Sequence, residues 1–151
     1  MQPLNLPSFS FRTKKEKDKT YIFDELRKKF VRLTPEEWVR QNFIRFLIEV
    51  KKFSPSLMAV EAGLNVNGNP LRADLIVFGK SGQALMAVEF KAPAVKISQE
   101  TFNQIVRYNM ELKVDYLIVS NGLTHYCCQI DYPNNSYAFL PDIPGFTEIL
   151  Q

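Results

Sequence analysis

The chain has 151 residues, 46% of them hydrophobic and 23% charged, and its 19 Lys plus Arg against 16 Asp plus Glu leave a net charge of +3. That length suits one domain with enough buried surface to fold without disulfides or a structural metal. The composition excludes a disordered, collagen-like or low-complexity chain, and so mild a basic excess permits nucleic-acid contact without arguing for it.

Residues 1–20 read as a flexible, extended, charged arm, and residues 21–151 as a single domain. Pro3 and Pro7 discourage helix, and Arg12 to Lys19 is mostly charge. Such a run is usually a solubilising tail and less often a phosphate-touching one. Thr34-Pro35-Glu36-Glu37 opens the clearest helix, running to about Lys52. Thr34 is a good N-cap, Pro35 suits the first helical position, and Glu37 completes a capping box. Val39, Phe43, Phe46, Leu47 and Val50 form its apolar stripe, and Glu36, one turn before Val39, leans to the core side.

Leu57–Glu61 reads as a short strand and Asn65–Pro70 as turn material. Arg72–Phe78 and Ala84–Lys91 read as the arms of a hairpin closed by Gly79-Lys80-Ser81-Gly82. Ser98 caps a second helix over about 99–112, with Phe102, Ile105, Val106, Asn109 and Leu112 inward. Asp115–Ser120 is a dense apolar strand, placed centrally, and Asn121-Gly122 turns it into Thr124–Ile130. Residues 132–151 read as a loop with one short closing helix. The order predicts an α/β fold, a mixed central sheet flanked by helices.

No apolar run approaches the roughly 18 residues of a membrane span. The start, Met1-Gln2-Pro3-Leu4-Asn5-Leu6-Pro7, lacks a signal-peptide pattern. The adjacent Cys127 and Cys128 would point to opposite faces of a strand, where they cannot bridge. A cytoplasmic protein with free thiols is expected.

Strand alternation places Glu89 and Lys91 on one face, and Asp74 on the partner strand within reach of them. Two carboxylates converging in an apolar setting are costly unless a cation joins them, and oxygen ligands plus water suit Mg²⁺. A neighbouring ammonium can orient a water or stabilise charge on a phosphate. Isolated Glu-x-Lys is common as a surface ion pair; the acid in a strand, the hairpin and the following helix shift the balance.

Asp74…Glu89-Phe90-Lys91 resembles the PD-(D/E)xK nuclease motif. With Thr34-Pro35-Glu36-Glu37-Trp38-Val39-Arg40-Gln41, Arg72-Ala73-Asp74, Val88-Glu89-Phe90-Lys91-Ala92-Pro93 and Gln104-Ile105-Val106-Arg107-Tyr108-Asn109, residues 20–131 resemble the N-terminal nuclease domain of type I restriction enzyme R subunits in a short stand-alone form. Arg72-Ala73 stands where the motif has its nominal Pro. The resemblance implies a restriction-endonuclease-like core and a metal-dependent DNA nuclease using Mg²⁺ or Mn²⁺. It implies that Asp74 and Glu89 bind metal, that Lys91 assists the attacking water, and that an acid of the first helix joins them. Glu36 fits best; Glu37 is occupied by the capping box, and Glu61 is a further option. Arg40, four residues after Glu36, follows the family pattern. Gln104 and Tyr108, one turn apart, would shape the site or hold nucleic acid, with Arg72 beside them.

DNA is therefore the expected partner, with partner subunits supplying motor or specificity. ATP is not expected: Gly79-Lys80-Ser81 echoes a P-loop ending, but Asp74 stands where its first Gly is needed. His125, the only histidine, reads as structural. The competing reading is a non-cleaving nucleic-acid or protein adaptor that keeps the nuclease fold; an RNA-processing role has no supporting signature.

Overall fold

The computed structural model describes residues 1–66 and 68–149, with residues 64, 66 and 69 described by backbone alone. Among them, nine strands form two sheets. Thr13–Glu16 (β1), Lys19–Asp24 (β2) and Lys29–Arg32 (β3) make an antiparallel N-terminal sheet. The main sheet has the order β4-β5-β6-β7-β8-β9, with Met58–Val66 (β4), Asn69–Phe78 (β5), Ala84–Phe90 (β6), Tyr116–Ser120 (β7), His125–Asp131 (β8) and Ser136–Phe139 (β9). Only β6 and β7 are parallel, because helix α2, Gln99–Met110, carries the chain across between them. Helix α1, Pro35–Glu49, precedes the sheet, and a short helix α3, Phe146–Ile149, follows it. This is a mixed α/β architecture with β6 and β7 at its centre.

The two long helices cover opposite faces. Val39, Phe43, Ile44 and Leu47 of α1 pack on Leu75, Val77, Met86, Val88 and Phe90. Phe102 and Val106 of α2 pack on Ile76, Ala87, Leu117, Val119 and Cys128. Cys127 faces the first cluster and Cys128 the second, as alternation requires, and burial pushes both thiols up to about 12. Thr34 Oγ1 accepts from the Glu37 amide at 3.1 Å and Ser98 Oγ from the Thr101 amide at 3.1 Å, so both expected caps form.

Several expectations are corrected. Residues 1–20 are not a free arm. Lys17 and Asp18 take positive φ and reverse β1 into β2, while the segment before them lies along the domain. Leu4 and Leu6 pack on the first core cluster, and the Asn5 amide donates to Gly122 O at 2.8 Å. Trp38 Nε1 donates to Gln2 O at 2.8 Å. Val50 is exposed because α1 has ended, and Ile44 is buried in its place. The stretch expected as turn over 65–70 is mostly strand, and its Asn67 lies outside the described residues, as do the last two residues of the tail. The tail holds β9, whose Phe139 and Tyr137 stack with Phe102. Among the described residues no helix is long and apolar enough to cross a membrane.

Candidate functional site

The register Leu75↔Val88 of the β5–β6 pair, carried on by one step, sets Asp74 across from Glu89. The ladder stops there. The Phe90 amide, instead of finding a strand carbonyl, donates to Asp74 Oδ2 at 2.8 Å. A side chain standing in for the ladder pins one carboxylate oxygen and leaves the group at the mouth of the splayed strands. Glu89 lies within hydrogen-bonding reach of Asp74. Burial of its carboxyl, then the Asp74 charge and hydrogen bond, push the Glu89 pKa up to about 8. Lys91 follows on the same side, its amide bonded to Ser120 O at 2.9 Å, and its charge opposes that rise. Asp74, Glu89, Glu61, Arg72 and Ala73 line an open cleft of about 380 Å³.

A backbone irregularity shapes the other wall. Glu61, in the middle of β4, has φ 52°, and the Glu61–Asp74 pair is missing from an otherwise continuous β4–β5 ladder. Before this point Met58, Val60, Leu75 and Val77 pack with α1; beyond it Ala62, Leu71 and Ala73 pack with α2. The odd-numbered face of β5 thus turns from one core to the other at the cleft. Left-handed backbone is strained for a residue with a Cβ, and such strain collects at functional sites.

Behind Glu61 runs a chain of alternating charges. Arg40 Nη1 lies 3.6 Å from Glu61 Oε1 and 2.9 Å from Glu37 Oε1. Glu37 Oε1 also accepts from Arg27 Nη2 at 3.0 Å, and Gln41 Nε2 donates to Glu37 Oε2 at 2.8 Å. Arg27, in the β2–β3 turn, bonds Asp24 and stands 4.0 Å from Glu61. Asp24, Glu37 and Arg40 are buried. Burial alone would raise the Asp24 pKa, but the hydrogen bonds and charge of Arg27 hold it below its ordinary value.

Each residue singled out from sequence has a definite place. Asp74, Glu89 and Lys91 sit at the cleft. Arg72 lines it, with Nη2 on Glu61 O at 3.1 Å. Tyr108 reaches the same edge from α2, its hydroxyl accepting from the Arg72 amide at 3.2 Å, and Gln104 is exposed one turn earlier. Arg40 is buried behind Glu61. Glu36 is not at the cleft lining: its side chain is 49% exposed and pairs with Arg40 at 3.9 Å. On the first turn of α1 it stands outside the set of buried residues that begins at Glu37. Glu37 does not fold back on the Thr34 backbone, because Arg27, Arg40 and Gln41 claim both its oxygens. Among the described residues no group of three or more His, Cys, Asp or Glu side chains converges as a metal cluster. Arg27 was missed altogether; the local signal was Asp24-x-x-Arg27, whose turn places it, but its meeting with Glu37 depends on how the N-terminal sheet docks. His125 bridges Ser120 Oγ and Asn5 O at 2.7 and 2.9 Å and packs edge-on to Phe43, a structural role.

The site defines a mixed α/β protein with an acid pair and a lysine at the splayed end of a central hairpin. The chain belongs to the type I restriction enzyme R protein N terminus family, which it matches over residues 35–144 of its 151. That membership associates it with restriction systems, which are multi-subunit and act on DNA. No individual curated protein matches it.

Proposed function

We propose that the cleft hydrolyses phosphodiester bonds of DNA, as the nuclease component of a restriction or defence system built on a PD-(D/E)xK core. The observation that carries the reading is the Asp74–Glu89 pair. Two carboxyl groups held together with one pKa pushed to about 8 form a site that a divalent cation would complete. Mg²⁺ binds through one or two carboxylates and keeps its waters, so two protein ligands suffice. Mg²⁺ or Mn²⁺ bound by Asp74 and Glu89 would supply Lewis-acid polarisation of the phosphate and a more acidic water.

The chain's own residues do the rest. The Phe90 amide fixes Asp74. Lys91 presents its ammonium to charge developing on the phosphate, and Arg72, Tyr108 and Gln104 form the rim against which a strand would lie. Arg40 and Arg27 hold Glu61 at the opposite wall. Partner subunits would supply motor or specificity.

The adaptor reading draws on Glu61, the third acid of the cleft, being paired with Arg40 at 3.6 Å. A cleavage panel with plasmid and single-stranded DNA in Mg²⁺, Mn²⁺ or Co²⁺ separates the two. Asp74→Ala should abolish cleavage. Lys91→Ala should slow it by about a hundredfold or more, while thermal melting stays within the range of a surface substitution. Wild-type protein that cuts nothing with any of these ions would make the adaptor the better description. Lys91→Ala that cuts as fast as wild type would remove Lys91 from the chemistry.

A further inference from the structure

The N-terminal sheet lies outside the family-matched residues 35–144, and its chemistry differs from theirs. Residues 1–34 hold nine Lys or Arg against four Asp or Glu, a net +5; residues 35–151 hold ten against twelve, a net −2. The protein's whole basic excess is therefore carried by this sheet and the segment leading into it.

The sheet's register places four of those cations, Arg12, Lys14, Lys19 and Arg32, on one face. Ile22 and Asp24, fully buried, look inward. Lys14↔Tyr21, Tyr21↔Arg32, Phe23↔Phe30 and Glu16↔Lys19 are cross-strand pairs on the other face, and the Phe23 amide bonded to Arg12 O brings Arg12 into the same row. Arg12, Lys14, Lys19 and Arg32 are exposed, and the three rings are half-buried between them. Arg12 lies 4.8 Å from the Phe23 ring centre and Lys14 lies 4.5 Å from that of Phe30. Glu16, paired with Lys14 at 3.4 Å, is the one acid of this face among the described residues.

We propose that this outer face binds a single strand of nucleic acid, phosphates on Arg12, Lys14, Lys19 and Arg32 and bases on Tyr21, Phe23 and Phe30. A sheet face that interleaves cations with aromatic rings offers both halves of such a strand a partner, whereas a duplex keeps its bases stacked away from the rings. An acidic peptide would use the cations and leave the rings idle. The sheet also abuts the cleft: Arg27, in its β2–β3 turn, contacts Glu37 and stands 4.0 Å from Glu61. The inference deepens the nuclease reading by giving its substrate a second foothold, but binding does not require cleavage.

The test is fluorescence anisotropy of labelled oligo-dT with the full chain in EDTA across a salt series. Arg12→Ala/Lys14→Ala should weaken binding by about tenfold or more at low salt and flatten the log–log salt slope by about 0.7 for each phosphate no longer neutralised. Phe30→Leu should weaken binding by about tenfold with the slope unchanged. Lys80→Ala/Lys96→Ala, with the same charge loss elsewhere, should shift affinity less than twofold. Thermal melts run alongside confirm that the variants are folded; the exposed Arg12 and Lys14 make their double variant the safe arm.

Equal binding by the Arg12/Lys14 variant overturns the proposal, as does a duplex of equal length binding more tightly than oligo-dT. Polyglutamate competing as well as unlabelled oligo-dT overturns it too, in favour of an acidic partner. Its failure is separable from that of the nuclease reading. Cleavage by a protein whose sheet variant binds normally sinks this inference alone, and sheet-dependent binding by a protein that never cleaves sinks the nuclease alone.

Discussion

At the scale of single residues, Glu89 links structure to pH. Its pKa moves from 4.5 to about 8 on folding, first through burial and then through Asp74. Between those values the folded chain keeps a proton that the unfolded chain has released. The unfolded state binds fewer protons there, so stability falls as pH rises through this window and levels off above it. Denaturant midpoints of the ion-free protein should therefore drop from about pH 4.5 to about pH 8, and Glu89→Gln, which cannot ionise, should remove that part of the slope. A slope identical in wild type and Glu89→Gln would show that the acid pair does not share a proton. On the metal reading, Mg²⁺ should raise the melting temperature more above pH 8 than at pH 6, because it requires the ionised pair.

Glu37 is the other decisive residue. It is buried and joins Arg27, Arg40 and Gln41. Replacing it with Gln leaves two guanidinium groups without their shared anion, and breaking a buried pair in this way costs about 3–5 kcal/mol. Glu36→Gln, on an exposed side chain, should change stability by less than about 0.5 kcal/mol. Urea titration of both variants checks the contrast; equal effects would mean that the buried network is not what holds α1 to the N-terminal sheet.

At the scale of elements, the β5–β6 hairpin and the two helices were legible because each is a local pattern. Caps at Thr34 and Ser98, glycines at 79 and 82, and alternation through Ala84–Phe90 all depend on neighbours in sequence. The N-terminal sheet was not legible. Its strands are four to six residues long and its outer face is basic, so they read as solvated charge. The reversal at Lys17-Asp18 uses positive φ without the Asn-Gly that usually announces it. The Glu61 kink was equally hidden, since nothing local marks a glutamate for left-handed backbone.

The Asn121-Gly122 turn joins the readable to the unreadable. Gly122 has φ +86°, and a Cβ there would lie 2.7 Å from Leu4 Cδ2 and 3.0 Å from Val39 Cγ2. Gly122→Ala pays for the backbone conformation and also pushes Leu4 off α1. It should cost about 1–3 kcal/mol and speed proteolysis within the first dozen residues. Protease resistance equal to wild type would mean that the segment is held by its other contacts.

At the scale of the whole molecule, the family match begins at residue 35, yet the structure ties residues 1–34 to the rest at both ends of α1 and at the cleft. Leu4 and Leu6 fill the first core cluster. Gln2 O takes the Trp38 indole proton, and Asn5 O pairs with His125 Nε2. Arg45 donates to Ser10 O at 3.2 Å, and Arg27 supplies Glu37 with its second cation. The candidate site was legible as a set of residues because Asp74, Glu89 and Lys91 lie on one hairpin. Its supporting wall was not, because Arg27 and Glu61 meet Arg40 only when three separate elements have docked. A chain lacking residues 2–11 keeps the N-terminal sheet and Arg27 but exposes Val39, Phe43 and the side of His125. Burial of two leucines and four hydrogen bonds is removed, and fully burying each leucine is worth about 1.5–3 kcal/mol. Such a truncation should remain folded with a melting temperature lower by roughly ten degrees, at about 2–4 °C per kcal/mol for a domain of this size. A truncation of residues 2–34 should fail to fold, since it also takes Arg27 from Glu37 and uncovers the buried start of α1. Calorimetry of the two proteins separates these outcomes. A stable, cooperatively melting product from the longer deletion would show that the first sheet is an appendage and not part of the domain.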